Sequence, residues 1–213
     1  MAQCTRRFGI LLLATAALVL TAIPGACGSG DRGVSGRAPD QSATAGVIDS
    51  TLPIPVLLER FRRATPDTVV ALSGGDASPE RLARALLRAL SAHDSSAVAA
   101  LVVSRAEFAW LYYPFTKFVA RPYELGPDLV WLTHAAASEK GARRLLARYG
   151  GRPLRFSALT CAPETTIEGP NTLTVGCETR FAVGDSTPRS LHLFGALLNR
   201  DGRYKFLSYA NDL

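Results

Sequence analysis

Thr172-Leu173-Thr174-Val175-Gly176-Cys177-Glu178-Thr179-Arg180-Phe181-Ala182-Val183 is the stretch whose reading decides the fold. Leu173, Val175, Cys177, Phe181 and Val183 fall on one face, and Thr172, Thr174, Glu178 and Arg180 on the other. That is the period of two of a half-buried strand. Upstream, Leu154 to Cys161 puts Leu154, Phe156 and Ala158 on one face and predicts the antiparallel partner. The turn-rich run Ala162 to Asn171 is expected to close the hairpin between them. Downstream, Gly184 to Pro188 reads as a turn, and the nearly all-apolar Ser190 to Leu198 as a central strand. Asn199-Arg200-Asp201-Gly202 contains Asp-Gly, a strong hairpin signal, before a last strand from Arg203 to Tyr209. Four strands joined by short turns predict a meander. Its apolar face needs a cover, and the upstream helices are expected to supply it.

Those helices announce themselves by their ends. Ser78-Pro79-Glu80 supplies an N-cap, a proline at the first helical position and an acid in the first turn. Leu82, Leu86, Leu87 and Leu90 then form an apolar stripe, with Arg81, Arg84 and Arg88 facing out. The helix is expected to stop near His93-Asp94, with Ser95 or Ser96 capping a second one through Val102. A third, from Gly126 or Pro127 to Tyr149, carries Leu129, Val130, Leu132, Leu145 and Leu146 and ends at Gly150-Gly151. Ahead of these, Val56 to Arg63 reads as a short helix and Leu72 to Asp76 as a loop. No Lys-Ser/Thr follows Gly74-Gly75, so it is not a phosphate-binding loop.

The amino terminus is of a different kind. Arg6 and Arg7 precede an uncharged apolar run from Phe8 to Ala22 and the small residues Pro24-Gly25-Ala26, the three parts of a secretory signal over residues 1–26. About fifteen apolar residues are short for a ~30 Å hydrocarbon core. Ile23-Pro24-Gly25-Ala26-Cys27-Gly28-Ser29 resembles the lipobox of bacterial lipoproteins, although Pro24 stands where that family usually has an aliphatic residue. The resemblance implies diacylation of Cys27; ordinary cleavage near Ala26 is the alternative. Gly28 carries no acidic retention signal, which by the same resemblance implies the outer membrane, facing the periplasm, in a cell with two membranes. Residues 27–46 read as a Gly/Ser/Pro-rich linker, residues 47–77 as a short helix and loop, and residues 78–213 as the folded domain.

Composition narrows the partners. The 213 residues hold 24 Lys and Arg against 18 Asp and Glu, a formal charge of +6, of which Arg6 and Arg7 would leave with the signal. A secretory signal argues against a nucleic-acid partner for that charge. Of four cysteines, Cys161 and Cys177 fall in the domain, on neighbouring predicted strands. In an oxidising compartment they are expected to pair, the alternative being two free buried thiols. No His or further Cys beside them suggests a metal, and no cofactor motif is present.

Helices over "LARALLRALSAHDSSAVAALV" (Leu82 to Val102), a further long helix and then four strands resemble the NTF2-like, cystatin-like α+β family. The resemblance implies a curved four-stranded antiparallel sheet wrapping helices into a cone. Members include small isomerases, dehydratases and cyclases as well as binding and interaction domains, so fold leaves function open. Enzymatic members use a carboxylate or His inside the cone, for which Glu178, His192 and Asp94 are the candidates here. Glu178 and Arg180 also read as a plain surface ion pair, and His192 as a hydrogen-bonded structural histidine. The aromatic run Phe108 to Phe118 offers Trp110, Tyr112 and Tyr113 as ligand-binding rings. Equally these rings plug the cone as core, in which case the adjacent Tyr112 and Tyr113 are not expected both to face inward. The reading is an exported, membrane-anchored binding or interaction module, with an envelope protein or an apolar small molecule as partner. A small cavity enzyme with a single acid or base is the alternative.

Overall fold

The structure, a computed structural model, describes residues 52–65, 68–211 and 213. The expected signal, Cys27, the linker and residues 47–51 lie outside the described residues. Within them the fold is α+β, with helices packed on two antiparallel sheets. No described helix is long and apolar enough to cross a membrane.

Helix α1 spans Ile54–Arg63 and α2 spans Pro79–Ser91, where the Ser78 hydroxyl accepts the Arg81 N–H at 3.2 Å as the cap. Leu82, Leu86, Leu87 and Leu90 are buried as the stripe requires, while the Arg84 guanidinium lies 4.0 Å from the centre of the Phe156 ring. Helix α3 (Ser95–Ala100) is capped by Asp94, not by Ser95 or Ser96. His93, at φ 54, closes the turn after α2 and leaves Asp94 extended, so its carboxylate accepts the Ala97 N–H at 2.9 Å. A single turn, α4 (Arg105–Glu107), begins with a capping box between Ser104 and Glu107. Helix α5 runs Pro127–Tyr149 and buries Val130, Gly141, Leu145 and Tyr149.

The expected single four-stranded meander is instead seven strands in two sheets. In chain order these are β1 (Leu154–Thr160), β2 (Thr165–Glu168), β3 (Asn171–Val175), β4 (Glu178–Val183), β5 (Arg189–Leu191), β6 (Ala196–Arg200) and β7 (Arg203–Phe206). One sheet has the order β1-β4-β5, the other β2-β3-β6-β7, all antiparallel. The chain crosses between the sheets at three breaks. The first follows β1, where the strand expected from Leu154 to Cys161 runs on into β2; the second lies within the expected Thr172 to Val183 strand. The third divides Ser190 to Leu198, which is not one central strand but the edge strand β5 followed by β6. Thr172 to Val183 breaks at Gly176, whose φ of +63 an L side chain rarely adopts. Val175, just before that break, is exposed, contrary to its place in the alternation. The expected loop Ala162–Asn171 contains β2, and the turn proper is Gly169-Pro170, with Glu168 paired to Asn171 across it. A glycine in the first position, here at φ +59, suits a two-residue hairpin loop.

Cys161 and Cys177 sit at two of these breaks, with their sulfurs at disulfide distance, 2.08 Å. The bridge ties adjacent ribbons where each leaves one sheet for the other. It closes a loop of 16 residues. Replacing both cysteines by alanine is therefore expected to lower the unfolding free energy in urea by roughly 3 kcal/mol on the chain-entropy account. A loss below about 1 kcal/mol would mean that the breaks are held by packing alone.

Two cores fill the domain. One joins α2, α3 and the C-terminal half of α5 to the sheets through Leu86, Leu90, Leu145, Tyr149, Phe181, Phe194, Phe206 and Tyr209. The other gathers Phe61 of α1, the segment around Phe108, Val130 of α5 and Leu198. Upstream backbone covers the outer edge of β7: Asp76 exchanges two hydrogen bonds with Tyr204, and Val103 donates to Phe206. A covered edge cannot template pairing with another chain. Beneath it Lys205 of β7 and Glu107 of α4, 3% and 1% exposed, form an ion pair at 2.8 Å.

Candidate functional site

The three acid–base candidates lie apart from any common cleft. Glu178 begins β4 and faces His192, not Arg180, at 3.5 Å between Oε1 and Nε2, with both side chains 50% exposed. The other imidazole nitrogen, Nδ1, lies 3.1 Å from the Cys177 carbonyl. An ion pair this open to water is worth ~1 kcal/mol or less. Asp94 is fully committed as the α3 cap; hydrogen bonds from the Ala97 N–H and the Ser96 hydroxyl hold its carboxyl below the usual range.

Phe108 to Phe115 is mostly interior. Phe108–Tyr112 forms a π-helix and Tyr113–Phe115 a 3-10 turn. Phe108 is the hub, with its ring 5.7 Å from Phe61, 5.9 Å from Tyr112, 5.6 Å from Tyr113 and 5.2 Å from Trp131. Tyr112 and Tyr113 are both buried, against the expectation that one would face out. The helical pitch changes between them, at φ −110 and ψ −65 for Tyr112, and both rings turn inward. Tyr113 donates its hydroxyl proton to the Leu125 carbonyl at 2.6 Å, while Tyr112 meets the Glu168 carboxyl. Burial pushes both phenols above their ordinary values, so both stay protonated donors. Trp110 is half-buried beneath the Arg62 guanidinium, 3.9 Å from its ring.

Behind this wall opens a cleft of about 290 Å³, lined by Phe118, Leu125, Leu129, Val130, Thr133 and His134. Its lining is apolar apart from Thr133 and His134 and includes Leu129, 54% exposed; Leu132, 64% exposed, lies outside the lining on the outer face of α5. His134 is the one titrating side chain in the lining, 6.0 Å from the rings of Phe108 and Tyr112. Desolvation lowers its pKa below the ordinary 6.5, so it is neutral at pH 7 and presents a flat, weakly polar surface. A depressed histidine contributes stability above pH 6.5 that is lost as pH falls toward its folded value. The melting temperature is expected to drop between pH 7.5 and 5.5, and His134→Phe to flatten that drop. An unchanged slope in the variant would place the acid sensitivity elsewhere.

Glu168, beside Tyr112, completes the neighbourhood without entering the cleft. Burial raises its pKa, partly offset by the Lys117 backbone N–H, the Lys117 charge and the Tyr112 hydroxyl, and its Oε2 is buried with no hydrogen-bond partner. Among the described residues no three His, Cys, Asp or Glu side chains gather as a metal site.

Comparison with family models, with curated proteins and with solved structures yields no match to this chain.

Leu129 and Leu132 were legible as apolar helix residues but not as exposed ones, nor Leu129 as part of a cleft. The clue is angular: at 100° per residue they share a face turned away from the buried line Val130, Gly141, Leu145. His134 carried no signal, because the burial that lowers its pKa comes from packing, with its ring 6.0 Å from those of Phe108 and Tyr112, more than twenty residues earlier.

Proposed function

We propose that this chain is an exported, lipid-anchored interaction module of the cell envelope, NTF2-like in architecture, which docks an apolar side chain of a partner protein. The observation that carries the reading is the apolar cleft between residues 118–125 and α5, with exposed Leu129 in its lining and exposed Leu132 nearby on the outer face of the helix. A small-molecule site encloses most of its ligand, and such sites run to ~300–1,000 Å³. A shallow socket at the bottom of that range, flanked by exposed leucines, suits a partner side chain whose neighbours settle on the rim. An interior filled by Phe108, Tyr112 and Tyr113 leaves the outer surface as the working part. The cone of the NTF2-like resemblance would then serve as scaffold, and Cys27 as tether.

Anchoring and docking are tested separately. Cys27→Ser is expected to release the protein from membrane pellets, and continued pelleting sinks the anchor. Leu129→Asp with Leu132→Asp places one charge in the cleft lining and one on the exposed helix face beside it without touching the core. It is expected to abolish adducts trapped by bifunctional crosslinking in intact cells while leaving the melting temperature within a few degrees. Undiminished adducts in that variant would remove the cleft from the interface.

A further inference from the structure

The geometry points to a second working surface, a basic ridge on α5 that seats the phosphate headgroups of an anionic lipid surface. It stands independently of the apolar cleft. Lys140, Arg144 and Arg148 recur every four residues, and Arg152 continues the spacing just past the helix end. Lys140, Arg144 and Arg148 therefore form one line, roughly 12 Å long at 1.5 Å per residue, and Arg152 joins its end by donating to the Arg148 carbonyl. Like charges four apart weaken a helix, so nothing in local stability favours this pattern.

The neighbouring cations are already paired. Arg143 is engaged by Glu139, and Arg155 lies 3.3 Å from Asp185. Among the described residues no carboxylate lies within 4.0 Å of the charged groups of the four ridge residues or of Arg189. Two clefts open beside the line. One, of about 450 Å³, is lined in part by Lys140 and Arg144; the other, of about 580 Å³, by Arg148, Arg152, Ser186, Thr187 and Arg189. In the larger one the cations are held in place. The guanidinium carbons of Arg148 and Arg189 lie 5.8 and 5.7 Å from the centre of the buried Tyr149 ring. Arg189 also donates to the Tyr149 hydroxyl at 3.4 Å, and Arg152 to the Arg148 carbonyl at 3.4 Å. The negative end of α5 accounts for Arg148 and Arg152. It does not account for Arg189, which arrives from β5, nor for Lys140 and Arg144, two turns back.

Guanidiniums anchored on one side, with N–H groups to spare, recognise phosphate oxygens. A single small anion would occupy one cleft and leave the rest of the line idle. A surface of headgroups engages the whole ridge at once.

The test measures binding of the full chain to phosphatidylcholine vesicles with and without one third phosphatidylglycerol, the readout being the increment due to the anionic lipid. Any apolar attachment by the amino terminus is common to both vesicles and cancels. Arg144→Ala/Arg148→Ala/Arg152→Ala is expected to cut the increment about a hundredfold, from roughly fivefold per arginine near an anionic surface. Arg60→Ala/Arg62→Ala/Arg63→Ala removes the same charge from α1 and is expected to leave it within a few-fold. Equal losses in the two variants would overturn the ridge in favour of net charge. Absence of an increment in the wild type, with inorganic phosphate instead raising the melting temperature, would overturn the lipid surface in favour of a free oxyanion. Melting of both variants monitors folding.

Discussion

Replacing Lys205 by methionine is expected to lower the folding free energy by about 3–5 kcal/mol, the usual cost of removing one partner from a buried ion pair. For a domain of this size that is a fall of roughly 10 °C in melting temperature. The reason lies with the partner left behind. Glu107 is 1% exposed, and its carboxylate accepts the Ser73 N–H at 2.7 Å, the Ser73 hydroxyl at 3.1 Å, the Ser104 N–H at 2.7 Å and Lys205 at 2.8 Å. Burial alone would raise its pKa; Lys205 and the two backbone N–H groups outweigh burial and bring it below the ordinary 4.5. Such a carboxyl stabilises the fold above pH 4.5 and loses that contribution as pH falls through its folded value. Glu107→Gln/Lys205→Met removes both charges while keeping an acceptor for Ser104, and is expected to recover more than half of the loss. A Lys205→Met protein within about 1 kcal/mol of wild type in urea would show that the pair is hydrated in solution.

Gly141→Ala is the second large effect, and its sign is informative. Alanine in a helix interior gains up to about 1 kcal/mol over glycine on propensity alone. Here the added methyl would overlap the Tyr209 carbonyl oxygen and come within 2.6 Å of its carbonyl carbon. Both are backbone atoms, held by the Tyr209 N–H to the Ser138 hydroxyl at 3.2 Å and by Asn211 to the Gly141 carbonyl at 3.3 Å. Neither can swing aside as a side chain would. Overpacking of this kind costs typically 1–3 kcal/mol and at times more, so a net loss of about 2 kcal/mol is expected from thermal unfolding. A gain in stability would mean that α5 and the C-terminal segment lie farther apart than described.

What the chain disclosed in advance was local. The Ser78-Pro79-Glu80 cap, a long helix starting at Gly126 or Pro127 and ending at Tyr149, and a cysteine pair on neighbouring strands were readable from nearby residues. The breaks that divide the ribbons between two sheets were hidden, because apolar alternation runs on through Gly176 and only strand pairing reveals its positive φ. Tyr112 and Tyr113 both turn inward through a π-helix that no periodicity announces. Neither the Ser104–Glu107 capping box nor the pairing of Glu107 with Lys205, 98 residues away, was read from the sequence. The cleft draws one wall from residues 118–125 and the other from α5, so its existence depends on packing rather than spacing.

The most direct measurement is site-specific photo-crosslinking in intact cells, with a photoreactive phenylalanine at Thr133, which lines the cleft and is exposed, and, as control, at Arg203, which is exposed on β7. The account predicts a discrete protein adduct from position 133 that disappears when Leu129→Asp is added, and none of that size from position 203. No adduct at 133, or one unaffected by Leu129→Asp, would contradict a docking role for the cleft.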